Sequence, residues 1–176
     1  MLSEVNRVVD MVSSVSDGAH LALLLLAGFR SLVDDLHAEL ARQGHPDARP
    51  LHGFALQAIG PDGASVSEVG RRLGVSKQAA GKTVGALERL GYAVREAHPT
   101  DARRARVSVT EPGRDLLRRS AEIFGELRDA WAARVGADEL AGMERALATL
   151  VGSRAVPLDV PGWLAAGDGS SGARDA

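Results

Sequence analysis

Apolar positions recur at three- and four-residue steps through most of the chain. Between about Ala19 and Arg42 they fall at Leu25, Phe29, Leu32, Leu36 and Leu40, which predicts a long amphipathic helix. Leu21, Leu23, Leu24 and Leu26 widen its stripe beyond one face, so this helix must bury surface against more than its own domain. "GHPDARP" (44–50) ends it with one glycine and two prolines, and a short helix is expected at about 51–59, followed by the turn "GPDG" (60–63). Ser65 and Glu68 have the spacing of a capping box, opening a third helix with Val66, Val69 and Leu73 as its buried stripe. After Leu73-Gly74-Val75, Ser76 is placed to cap a fourth helix with Ala80, Val84 and Leu87 inside and Gln78, Lys82, Gly85 and Arg89 on another face. The period then changes to two. Tyr92 to Glu96 reads as a strand, "HPTDARR" (98–104) as a turn, and Val107 and Val109 as the inner positions of a second strand. Thr110 caps a long helix with the stripe Leu117, Phe124, Leu127, Trp131 and Val135, and Pro112 is tolerated in its first turn. A last helix carries Leu140, Met143, Leu147 and Leu150.

The fourth helix contains Gly81-Lys82-Thr83, the ending of a nucleotide-binding P-loop. That loop needs a glycine five positions earlier, so that successive N–H groups wrap a phosphate. Ser76 stands there, and Gly74 lies two residues too early. The preceding "VSEVGRRLG" is helical in period rather than a buried strand. The stretch is a helix, not a phosphate loop.

Charge changes the picture more than composition does. The 176 residues are 45% hydrophobic and 25% charged, an ordinary globular balance for one domain. Residues 71–119 hold twelve Lys/Arg against five Asp/Glu, a net +7, whereas the whole chain is −2. A basic middle within an acidic remainder is the footprint of a module that binds a polyanion. Aromatics at 3% argue against a stacking platform for single strands. The lack of cysteine excludes disulfides, thiolate catalysis and Cys-based zinc, and the five histidines show no paired metal spacing. No cofactor or metal is expected, and no catalytic set of nucleophile, acid and base stands out. "LALLLLAGF" (21–29) is about half a membrane span. Acidic residues precede it, so neither a signal peptide nor a membrane segment is expected, which points to the cytoplasm.

Two helices joined by a tight turn, followed by a basic hairpin, make a winged helix-turn-helix. The predicted class is mainly α, with a small two- to three-stranded β-wing and dimerisation helices at both ends. A helix fits the major groove of B-DNA and offers its N-terminal residues to base edges. Ser76, Lys77, Gln78 and Lys82 are the candidate DNA-binding residues: a hydroxyl and helix dipole for phosphate, two ammonium groups, and an amide that can bond adenine bidentately. Gly81 and Gly85 cost helix propensity but let DNA approach closely.

"LGVSKQAAGKTVGALERLGYAVREAHPTDARRARVSVTEPGRDLL" resembles the MarR family of transcriptional regulators, closely over 65–117. The specific element is "DARRARVSVT", which is similar to that family's wing of Asp-x-Arg, a short strand and a Thr-led helix. The resemblance implies a homodimer on pseudo-palindromic double-stranded DNA, often released by a small phenolic or other aromatic effector. It further implies that Asp101 and Arg103 brace the wing while Arg103 or Arg104 enters the minor groove. An effector pocket is expected where the first, second and fifth helices meet, with Phe29, His52 and Trp131 as candidates. The expected divisions are an extension (1–18), a dimerisation helix and linker (19–50), the winged helix-turn-helix (51–110), C-terminal dimerisation helices (111–152) and a disordered tail (153–176).

Each assignment has a plainer competitor. Arg71, Arg72, Arg118 and Arg119 can form a solvated face, His52 can be a capping or core histidine, Trp131 can fill the dimer core, and Asp101 can cap a turn. The winged helix can also serve protein–protein contacts, or regulate without any effector.

Overall fold

The computed structural model describes residues 17–98 and 101–152; of 17–18, 97–98 and 101–104 it describes the backbone alone. The N-terminal extension before residue 17 and the tail from 153 lie outside the described residues, as do the side chains of Asp101, Arg103 and Arg104. The order is α1 (Asp17–Arg42), α2 (Pro50–Ile59), α3 (Val66–Leu73), α4 (Lys77–Arg89), β1 (Ala93–His98), β2 (Asp101–Val109), α5 (Glu111–Val135) and α6 (Ala137–Val151).

The core lies beneath the helix-turn-helix. Leu56, Ile59, Val69, Leu73, Ala80, Val84, Leu87 and Val107 are wholly buried, and Leu36, Leu40, Leu116 and Ile123 join them from α1 and α5. The local signals act as their chemistry requires. Ser65 Oγ accepts from Glu68 N at 3.2 Å, and the Glu68 carboxylate accepts from Ser65 N at 2.8 Å. Ser76 Oγ accepts from Ala79 N at 3.2 Å, and Thr110 Oγ1 from Gly113 N at 3.3 Å. Between α3 and α4, Gly74 adopts φ 69°, the left-handed cap that ends α3. Gly70 is needed for a different reason. A Cβ there would lie 3.1 Å from Val75 O and 3.3 Å from Ala80 Cβ, so the two helices close only over a bare Cα.

The wing departs from the predicted boundaries. β1 and β2 pair antiparallel from Ala93↔Val109 to Glu96↔Arg106, and again at His98↔Asp101. Residues 101–104 therefore run in β2, not in a turn over 98–104. The Pro and Asp there suggested a long turn, but two residues suffice to connect a hairpin. The register shifts between Glu96 and His98, so 102–105 are crowded against a single residue of β1. A bulge of this kind bends a strand and re-aims its side chains. The third strand is one bridge, Ala64↔Val107, with N–H···O distances of 2.9 and 2.8 Å.

The arm helices bury less than their stripes predict. On α1 the buried residues are Val33, Leu36 and Leu40, while Leu25 and Phe29 are exposed together with Leu21, Leu24 and Leu26. On α5 Leu116 and Ile123 point inward, and Phe124 and Val135 are exposed. On α6 Leu140 is buried, whereas Met143 is exposed and Leu150 is 77% exposed. Nothing among the described residues covers these faces.

Candidate nucleic-acid interface

Helix α4 presents its first turn to solvent. Lys77, Gln78 and Ala79 are exposed, as are Lys82 and Arg89 further along, and no acidic residue stands in the first turn. The Ser76 side chain satisfies Ala79 N, and the positive end of the helix dipole emerges beside Lys77 and Gln78. Lys77, Gln78 and Lys82 make no ion pair or side-chain hydrogen bond among the described residues. Ala80, Val84 and Leu87 anchor the opposite face in the core. The helix is held by its apolar side with its cationic side open.

The basic window divides into structural and free charges. Arg72 Nη1 donates to Ala58 O at 2.7 Å and Ile59 O at 3.3 Å, capping the end of α2. Arg106 ties the wing to the 60–63 turn through Asp62 O (2.7 Å) and Gly63 O (3.2 Å). Arg114 donates to Val109 O at 2.7 Å and pairs with Glu111. Arg95 pairs with Glu88 at 3.2 Å, tying β1 to the end of α4. Arg118 pairs with Asp115 and Glu122, and Arg119 pairs with Asp115. Arg72 thus caps α2, whereas Arg118 and Arg119 make ion pairs on a face that stays open to solvent, as the solvated-face reading has it. What stays unpaired among the described residues is Arg71, Lys77, Lys82 and Arg89, on the two helices of the helix-turn-helix. The net +7 thus overstates the usable charge but locates it.

A cavity of about 70 Å³ opens at the junction of α1, α2 and α5. Phe29, Phe54 and Phe124 line it with His37, Arg49 and Ser120. Of the three pocket candidates Phe29 is in its wall; His52 and Trp131 are not among the lining residues. His52 is buried, and its Nδ1 accepts from Arg49 N at 3.2 Å at the start of α2. Burial, reinforced by the Arg49 charge, pushes its pKa down to about 4. Burial lowers His37 as well, though its Nδ1 lies 2.6 Å from Val33 O. Trp131 is half-buried and lies against Gly28 of α1. The Arg49 guanidinium donates to Ala48 O at 2.9 Å.

Comparison with known proteins bears on this geometry. The model of the MarR family matches residues 50–104, from the start of α2 into the wing. Those residues are similar to the MarR family and fold as a winged helix-turn-helix. No curated protein matches the chain. Among solved structures, a MarR-family transcriptional regulator from Rhodococcus sp. RHA1 is 19% identical, with a TM-score of 0.57 over 82% of this chain and 99% of that one. The PcaV transcriptional regulator from Streptomyces coelicolor, solved with its natural ligand, is 21% identical with a TM-score of 0.55, over 80% and 94%. A mutant of S. aureus MepR bound to an oligodeoxyribonucleotide is 18% identical with a TM-score of 0.54, over 74% and 95%. These likenesses are of fold. MarR proteins are transcription regulators rather than enzymes, and no helix among the described residues is long and apolar enough to cross a membrane.

Proposed function

We propose that the protein is a homodimeric transcriptional regulator that places α4 in the major groove of a pseudo-palindromic operator. The observation that carries this is the open, unpaired cationic face of α4 above a fully buried anchor. Lys77 and Lys82 neutralise phosphates, Gln78 meets a base edge, and Ser76 and the helix N-terminus receive a phosphate oxygen. The wing follows the strand into the minor groove. There Arg103 or Arg104 is inserted and Asp101 braces the turn, as the wing resemblance implies. The exposed apolar faces of α1, α5 and α6 cover one another across the two-fold axis. DNA bound to the MepR mutant supports the reading of α4.

Regulation follows from the cavity. A small aromatic or phenolic effector is matched by the Phe29, Phe54 and Phe124 walls, and the ligand in PcaV supports this reading. At about 70 Å³ the cavity is well below the roughly 300 Å³ of ordinary small-molecule sites, so an effector enters only by moving α1 or α5. Such an effector binds the DNA-incompetent spacing better and releases the operator by that difference, which makes the protein a repressor.

Two variants test the reading. Gln78→Ala should relax preference at one operator position and weaken binding by about 1–3 kcal/mol. Lys82→Ala should weaken all sequences alike and flatten the dependence on salt. If titrations of both variants against operator and random duplex match the unmodified protein, α4 is not the reader.

A further inference from the structure

The chain crosses between the arm helices and the winged helix at two places: residues 43–49 on the way from α1 to α2, and Thr110 between β2 and α5. His45 stands in the first crossing and Asp115 five residues after the second. Tyr92 lies where α4 gives way to β1. These three residues, 47 and 70 positions apart from His45, meet at one point. His45 Nδ1 lies 3.0 Å from Tyr92 Oη, and His45 Nε2 lies 3.0 Å from Asp115 Oδ2. His45 is 7% exposed and Tyr92 6%.

The bond pattern fixes the protons. Arg119, then His45, hold the Asp115 carboxyl down at about 2, so it can only accept. His45 Nε2 therefore carries hydrogen toward Asp115, and in the neutral ring Nδ1 accepts from the Tyr92 hydroxyl. The set closes back on α1. Asp115 accepts from Arg119 Nε at 2.8 Å, Arg119 donates to Gln43 Oε1 at 3.0 Å, and Gln43 donates to Glu39 at 2.8 Å. Backbone contacts tighten the same point. Tyr92 O accepts from Thr110 N at 3.1 Å, and it occupies the space a Cβ on Gly113 would need, with Val109 Cγ1 2.8 Å from that position. Apolar contacts allow helices to slide over one another. A closed set of directional bonds between buried rings does not.

We propose that His45 is a positioning residue: with Tyr92 and Asp115 it forms a clasp that fixes the angle between the winged helix and its arm, and so the half-site spacing the protein accepts. The geometric part stands on the contacts above. The consequence for spacing rests on the operator-binding function proposed for α4.

The test separates the two. The chain has no cysteine, so spin labels can be attached singly at Ser67→Cys in α3 and Glu126→Cys in α5, both exposed. Labelled protein diluted with unlabelled protein should give one narrow distance peak between winged helix and arm. His45→Phe keeps the volume and removes both bonds. It should broaden that peak about twofold, with His45→Gln restoring part of the narrowness. Tyr92→Phe removes a single hydroxyl, remains folded, and should broaden it in the same direction. On duplexes whose two half-sites are moved by single base pairs, His45→Phe and Tyr92→Phe should flatten the spacing preference while binding to one half-site stays within about threefold. An unchanged distance peak in both variants overturns the clasp. So does a loss of half-site and full-site binding in equal measure. A broadened peak in a protein that binds no DNA upholds the clasp and sinks the operator function alone.

Discussion

Gly81 and Gly85 lie one turn apart in α4, with ordinary helical backbone, on the side that carries Lys82. Neither is required by the fold. A Cβ at Gly81 would meet Val66 Cγ1 at 3.9 Å and one at Gly85 would meet only the Arg89 guanidinium at 3.7 Å. Each costs about 1 kcal/mol of helix stability relative to alanine, and the proposed groove contact would account for both through the close approach that a bare Cα allows. Gly81→Ala and Gly85→Ala should therefore raise the melting temperature and weaken operator binding together; a rise in stability with unchanged affinity would remove these positions from the interface. His52 sets a different expectation. Its pKa of about 4 lies below the ordinary 6.5, so the unfolded chain binds more protons between those values. Stability should be complete above about pH 6.5 and fall as pH drops toward 4, and His52→Gln should flatten that slope in a series of thermal melts. An identical slope in the variant would place the acid sensitivity elsewhere. At this scale the capping pair Ser65 and Glu68 was legible because its partners are three residues apart. The His45, Tyr92 and Asp115 contact was not, because nothing local links residues so far apart in sequence.

The elements owe their crossing angles to a few bare positions. Gly70 is the clearest, since its neighbours at 3.1 and 3.3 Å include the Val75 carbonyl, which belongs to the turn itself. Gly70→Ala should force α3 and α4 apart, destabilise the protein by about 1–3 kcal/mol, and lower DNA affinity in proportion to the unfolded or rearranged fraction. A melting curve within a degree of the unmodified protein would show that the turn yields without cost. Helix limits were readable because caps and periodic apolar residues mark them: Thr110, Ser76 and Ser65 stand where the helices begin. The wing was less readable. Arg103 and Arg104 were assigned to a turn because charge and Pro99 resemble turn chemistry, whereas an exposed hairpin is held by backbone ladder bonds that its side chains do not announce.

At the scale of the molecule, the described residues leave much apolar surface in the open. Leu21 is 57% exposed, Val135 57% and Leu150 77%, and Leu24, Leu25, Leu26, Phe124 and Met143 accompany them on α1, α5 and α6. The over-wide leucine stripe of α1 announced this surface in the sequence. What it could not give is the geometry of its cover, which in the proposed dimer comes from a second chain. In the proposed homodimer, burying these faces would set two α4 helices at a fixed separation, and that separation would distinguish an operator from any other duplex. Selection from random-sequence duplexes, followed by titration of the winner at several salt concentrations, tests this most directly. The account predicts an inverted repeat with half-sites about one helical turn apart, bound by two protomers, with affinity that falls steeply as salt rises. Enrichment of no sequence, or a monomer bound with no dependence on salt, would contradict it.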